Sequence, residues 1–167
     1  MGHMTAKQAD EFTAGVERED SEALATETLL KKQYKTENVS RFIARHKQQM
    51  TQVPFHTYLA ELCASKNTVP ERIIQKANIA RTYGHQLFNG VRKPSRDKVI
   101  QLAFGFEMNH DDAQKLLKAA RKNALYAKVE RDAVIIYALT KKLSIAETQI
   151  LLEELSMPIL GKDDKYE

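Results

Sequence analysis

The chain holds 167 residues with 26 basic and 22 acidic side chains, a formal net charge of +4, enough length to bury one good core with a smaller appended subdomain. Its longest apolar run, Ala133 to Leu139, falls well short of the roughly 18–20 apolar residues that span a bilayer. A single cysteine, Cys63, excludes an internal disulfide framework and fits a reducing compartment; with no signal-peptide pattern at the start, the expected location is the cytoplasm.

The charge is unevenly spread. Residues 1–30 carry two basic and seven acidic side chains, residues 31–130 nineteen and eight, and residues 131–167 five and seven. Clustered Lys and Arg create a field that attracts phosphates, so the basic centre is expected to bind a polyanion.

The opening Met-Gly-His-Met reads as a cloning scar, and residues 1–20 as an acidic tail, disordered or loosely attached. A helix is expected from Ser21 to about Tyr34, and another from Glu37 to Met50, where Val39, Phe42, Ile43 and His46 share a face. Gln52-Val53-Pro54 breaks the pattern, and Pro54 is placed to be the first residue of the next helix. There Phe55, Leu59, Leu62 and Cys63 form an apolar stripe, so Cys63 reads as a core residue and not a nucleophile. In Thr68-Val69-Pro70-Glu71, Thr68 and Glu71 have the spacing of a capping box. Ile73, Ile74 and Ala77 supply the buried face behind it, and Asn78 tolerates the left-handed backbone of a tight turn.

A short helix from Ala80 to Phe88 should follow, stopped by Asn89-Gly90. Pro94-Ser95 opens a helix carrying Val99, Leu102 and Ala103, and Asn109 or His110 opens one carrying Leu116 and Leu117. The chain then repeats itself: Arg96 to Leu117 aligns without gaps on Arg131 to Leu152, an offset of 35 residues. Arg96/Arg131, Asp97/Asp132, Val99/Val134, Ile100/Ile135, Ala103/Ala138, Gln114/Gln149, Leu116/Leu151 and Leu117/Leu152 are identical pairs. Ala133 to Leu139 in isolation could be a buried strand, because β-branched residues favour strands. Its partner in the repeat is helical by context, so a second helical hairpin is expected, with Ser144 and Glu147 as its capping pair. The whole chain reads as all-α.

The stretch Val69 to Gly90, the loop Val91 to Ser95 and the run Arg96 to Phe106 carry a resemblance. Residues 55–120 resemble the lambda-repressor-like, five-helix DNA-binding domain of the Cro/C1-type (XRE) helix-turn-helix regulators of bacteria and phages. The resemblance implies a transcriptional regulator that places the helix Ala80 to Phe88 in the major groove of double-stranded DNA. Base contacts would come from Arg81, Thr82, His85 and Gln86, and phosphate contacts from Arg92, Lys93, Ser95, Arg96 and Lys98. Gly84, Leu87 and Phe88 would face inward, and Tyr83 would lie between the faces.

In domain terms the chain is expected to hold a tag scar, acidic tail and start of an N-terminal helical segment over 1–35, a helix-turn-helix domain with a preceding helix over 36–120, a C-terminal hairpin over 121–160 and a tail over 161–167. The hairpin region 128–155 would serve a homodimer or a protein partner, since paired modules read two half-sites.

The chain departs from the family pattern at four positions. Pro70 stands where a phosphate-binding Gln usually begins the first motif helix, and Ala80 where a Ser-type cap usually begins the second. A large residue, Ile74, and a small one, Gly84, are exchanged where those helices cross, which would roughly conserve volume. The first two departures keep open an alternative, a non-catalytic interaction adaptor that retains the scaffold without specific DNA binding. No phosphate-cradling glycine loop, no zinc-binding spacing and no catalytic constellation occurs, so neither enzyme activity nor a cofactor or metal is expected.

Overall fold

The computed structural model describes residues 26–50 and 52–162, and the expected acidic tail and the start of the first helix lie outside them. Among the described residues the chain is all-helical, as expected, and no helix is long and apolar enough to cross a membrane. The chain divides into two compact units, one ending at Gln52 and one beginning at Val53.

In the first unit residues 26–34 are helical (α1) and α2 spans Val39–Met50. The helix starts two residues later than expected because Asn38 caps it, its Oδ1 accepting from Arg41 N–H at 3.0 Å. Of the face read from periodicity, Phe42 is buried, while Val39 and Ile43 are exposed. The rings of Phe42 and His46 meet at a tilt of 47° with centroids 4.6 Å apart.

The second unit runs through α3 (Phe55–Ser65), α4 (Pro70–Lys76), α5 (Arg81–Phe88), α6 (Arg96–Gly105), α7 (His110–Ala119), α8 (Glu130–Thr140) and α9 (Ile145–Glu154). One continuous apolar core extends from Leu59 to Leu160, so the C-terminal hairpin shares its interior with the helices before it. Helix α6 lies at the centre: seven of its ten residues are buried, and it packs on α4, α7 and α9. Gly105 permits the α4–α6 approach, because a Cβ there would fall 2.6 Å from the Ile73 carbonyl oxygen. The buried Gln101 donates to the Ala77 carbonyl at 3.2 Å, tying the end of α4 to the middle of α6.

Two expected starts move by one residue. Pro54 is the N-cap of α3, not its first helical residue. Pro70 takes the first position of α4, so Val69 becomes the N-cap and Thr68 lies outside the helix, with no side-chain cap bond formed. The local signals inside both hairpins hold: Asn109 caps α7, and Ser144 caps α9 while bonding Glu147 in return.

The 35-residue repeat is a repeat of contacts. Arg96 donates to Asp132 Oδ1 and Oδ2 at 3.1 and 2.9 Å, and Arg131 donates to Asp97 Oδ1 and Oδ2 at 2.9 Å each. Each arginine therefore pairs with the aspartate of the other repeat. Arg96 also holds the Asn123 and Ala124 carbonyls, and Arg131 holds those of Pro158 and Ile159. Tyr126 N–H donates to Asp132, and Gly161 N–H donates to Asp97, both at 3.0 Å. Gln114 clamps the backbone of Leu125 through both N–H and C=O, and Gln149 does the same to Leu160. Every one of these partners is displaced by 35 residues from its counterpart, which gives the two hairpins a pseudo-two-fold relation.

Asp132 is 4% exposed. Removing one partner of a buried, hydrogen-bonded pair leaves the other charge uncompensated, so Asp132→Ala should cost about 3–5 kcal/mol in urea denaturation at neutral pH. At Asp97 burial pushes the carboxyl up, but the Arg131 hydrogen bonds, the Gly161 N–H and the charges of Arg131 and Arg96 outweigh it and hold the carboxyl below its usual range. Its folded-state pKa is depressed, so its contribution to stability is present above the ordinary value of about 4 and is lost as pH falls below that. Denaturation at pH 7 and pH 3 should show a stability loss in acid that is smaller in Asp97→Asn; an equal loss in both proteins would count against this assignment.

Candidate nucleic-acid interface

The candidate interface begins with the turn between α4 and α5. Asn78 adopts φ 54°, and Ile79 N–H donates to the Ile74 carbonyl at 3.2 Å, closing α4. Ala80 then serves as the N-cap of α5 without a side-chain bond, as its methyl group dictates. Gly84 and Leu87 are buried and Phe88 is half-buried, whereas Arg81 and Thr82 are exposed and His85 and Gln86 half-buried.

The exchange of large and small residues between α4 and α5 is a packing match. A Cβ built on Gly84 would lie 2.5 Å from Ile74 Cγ2 and 2.6 Å from Cγ1, so Ile74 occupies the space a side chain at 84 would need. Past the end of α5, Gly90 adopts φ 80°, and a Cβ there would sit 2.6 Å from His56 Nδ1. Handedness and space both demand glycine at that stop.

The basic loop is organised around an aromatic ring. The Arg92 guanidinium sits 4.6 Å from the centroid of Tyr83 and Lys98 Nζ sits 5.3 Å from it, within reach of cation–π attraction. Arg92 also donates from Nε to Gln86 Oε1 and from its backbone N–H to the Gln86 carbonyl, both at 3.1 Å. Lys98 reaches Gln101 Oε1 at 3.3 Å, while Ser95 caps α6 by accepting from Lys98 N–H at 3.2 Å. Tyr83, Gln86, Arg92 and Lys98 thus form one cluster, with Lys93 exposed beside it in the loop. Tyr83, placed between the faces by sequence, is the platform.

Arg96 stands apart from that cluster. Its expected role as a phosphate contact does not fit its bonds, because Nε and both terminal nitrogens are taken up by Asn123, Ala124 and Asp132. Nothing local in Arg96-Asp97 marks this; the signal was the identical pair at 131–132.

Glu71 was not among the expected site residues. Its carboxylate takes Arg81 Nε on Oε1 at 2.9 Å and His85 Nε2 on Oε2 at 2.5 Å. The hydrogen bond from His85 holds the Glu71 carboxyl below its usual range, with Arg81 adding to the effect. No short-range spacing announces this contact, because nine residues, including the left-handed Asn78, lie between Glu71 and Arg81. Among the described residues no group of His, Cys, Asp and Glu could hold a metal ion. Cys63 is buried and burial pushes its thiol up, which fits the expected core role.

Gly84→Ile is expected to destabilise by about 1–3 kcal/mol through overpacking against Ile74. Adding Ile74→Ala should recover part of that loss in a urea double-mutant cycle; strictly additive effects would show that the two positions do not share one space. Comparison of the chain with protein-family models, curated proteins and solved structures gives no match.

Proposed function

We propose that the protein is a sequence-specific, double-stranded DNA-binding transcriptional regulator of the XRE type, acting in the cytoplasm with α5 in the major groove. One observation carries this reading. The first turn of α5 leaves Arg81 and Thr82 exposed to solvent while Gly84 and Leu87 are buried, with Arg92, Lys93 and Lys98 in the adjoining loop and helix start. Arginine can make a bidentate contact with guanine, and threonine can meet a base edge or a thymine methyl. Cations ordered on Tyr83 would hold phosphates and fix register without reading sequence. Arg96 is not part of this reading, since the second hairpin holds it.

A homodimer through residues 128–155 would supply the second half-site. Helix α8 buries Ile135, Ala138 and Leu139 within its own chain, so that interface would use the exposed Tyr137, Ile150 and Leu155. The second reading is an interaction adaptor that keeps the scaffold. The pairing of Arg81 and His85 with Glu71 favours it, because a carboxylate beside the groove-facing residues repels phosphate.

Duplex DNA of random sequence, titrated by fluorescence anisotropy across a salt series and then sequenced from the retained fraction, separates the two. The wild type should enrich a short motif with affinity falling steeply as salt rises, and Arg81→Ala/Thr82→Ala should lose the motif. Absent binding, or binding with no enriched sequence, overturns the regulator reading in favour of the adaptor.

A further inference from the structure

A carboxylate can only accept hydrogen bonds, and this determines what Arg81 and His85 have left to offer. Glu71 engages Arg81 through Nε, the side edge of the guanidinium. The two terminal amino groups, which match the paired acceptors N7 and O6 of guanine, take no bond among the described residues, and the Arg81 side chain is 79% exposed. The other carboxylate oxygen meets His85 Nε2, so Nε2 carries the proton. In the neutral ring Nδ1 is then an acceptor, suited to the amino group of adenine or cytosine.

We propose that Glu71 is a specificity-determining positioning residue: its carboxylate holds Arg81 by the edge for reading a guanine and fixes His85 in the tautomer that reads an amino group. This rests on the DNA-binding reading above. A long exposed arginine otherwise samples many rotamers, and ordering it before contact removes that loss from the specific complex. Non-specific binding gains nothing from the clamp, because a phosphate takes a guanidinium in many orientations, and a neighbouring carboxylate opposes it. The clamp therefore raises the ratio of specific to non-specific affinity while lowering non-specific affinity itself.

Glu71→Gln is the test, a neutral side chain of the same shape at an exposed position. With the motif enriched by the wild type in hand, affinities are measured for that site, for the same site with its guanine replaced, and for random duplex. The variant should discriminate against the replaced guanine about tenfold less well than the wild type, while binding random duplex as tightly or more tightly. Unchanged discrimination overturns the proposal and leaves the DNA-binding reading standing. Equal losses on all three duplexes also overturn it, because they mark a purely structural role. A wild type that enriches no motif removes the DNA-binding reading and this proposal together. A DNA-independent arm uses the ¹⁵N shifts of the His85 ring in the free protein. The wild type should show the Nε2–H form and Glu71→Gln a mixture; a wild type already mixed would show that the clamp does not fix the tautomer.

Discussion

The second unit is organised by two crossed ion pairs, Arg96 with Asp132 and Arg131 with Asp97. Each joins the first turn of α6 to the first turn of α8. Both are bidentate, the arrangement that gives an arginine–carboxylate pair its geometric specificity. Each carboxylate also accepts a backbone N–H, and each guanidinium also donates to two carbonyls. Charges removed from water are tolerated when their remaining donors and acceptors are satisfied in this way. The strands of chain leaving α7 and α9, otherwise without regular structure, are thereby pinned to the helix starts they pass, and the Gln114 and Gln149 clamps pin the next residue along. Four helices become one block because the charges cross between hairpins and do not close within each one.

That constraint reaches the candidate interface through α6. Its first residue, Arg96, is tied to the second hairpin, and two residues later Lys98 turns towards Tyr83 of α5. The loop of residues 89–95 therefore hangs between two fixed points, Gly90 seated over His56 and Ser95 capping α6. The cations of the segment fall into two groups with different work. Arg92 and Lys98 gather on the Tyr83 ring, while Arg96 belongs to the interior network. Charge counted along the sequence merges the two, because it carries no direction.

Periodicity and local signals were enough for the helices and for much of the packing. Gly84 and Leu87 emerged on the inner side of α5, Asn78 in the left-handed turn, and Ser144 with Glu147 at the start of α9. The repeat resolved Ala133 to Leu139 as helix where composition pointed equally to strand. Capping at Thr68 failed because proline fixes the first helical position and moves the cap to the residue before it. The left-handed residues Glu107, Arg121, Lys142 and Ser156, which close α6 to α9, were not readable. None of these residue types favours that conformation. What holds them is the closing bond of each helix, for example Met108 N–H to the Ala103 carbonyl and Leu143 N–H to the Ala138 carbonyl, both 3.0 Å. The arginine–aspartate pairs were visible as identities, but an adjacent Arg-Asp says nothing about which aspartate each arginine meets.

Pro70, Ala80, Ile74 and Gly84 look independent in the sequence, and the structure places all four on α4 and at the start or interior of α5, with Ile74 packed over Gly84. A glycine inside a helix costs about 1 kcal/mol relative to alanine, and a helix start without a capping side chain costs about as much again. Both penalties fall on α5. Against them stands the burial of Ile74, which is 2% exposed and fills the space over Gly84; burying a side chain of that size contributes about 1.5–3 kcal/mol. The contact from α4 to the outer face of α5 comes from Glu71, the residue after Pro70, which bridges the first and second turns of α5 at Arg81 and His85. A helix with weak intrinsic ends is thus seated from below by an isoleucine and held from the side by a carboxylate. The partners of that carboxylate are two of the residues a groove-facing helix would present, so the support of α5 and the recognition chemistry proposed for it share the same atoms.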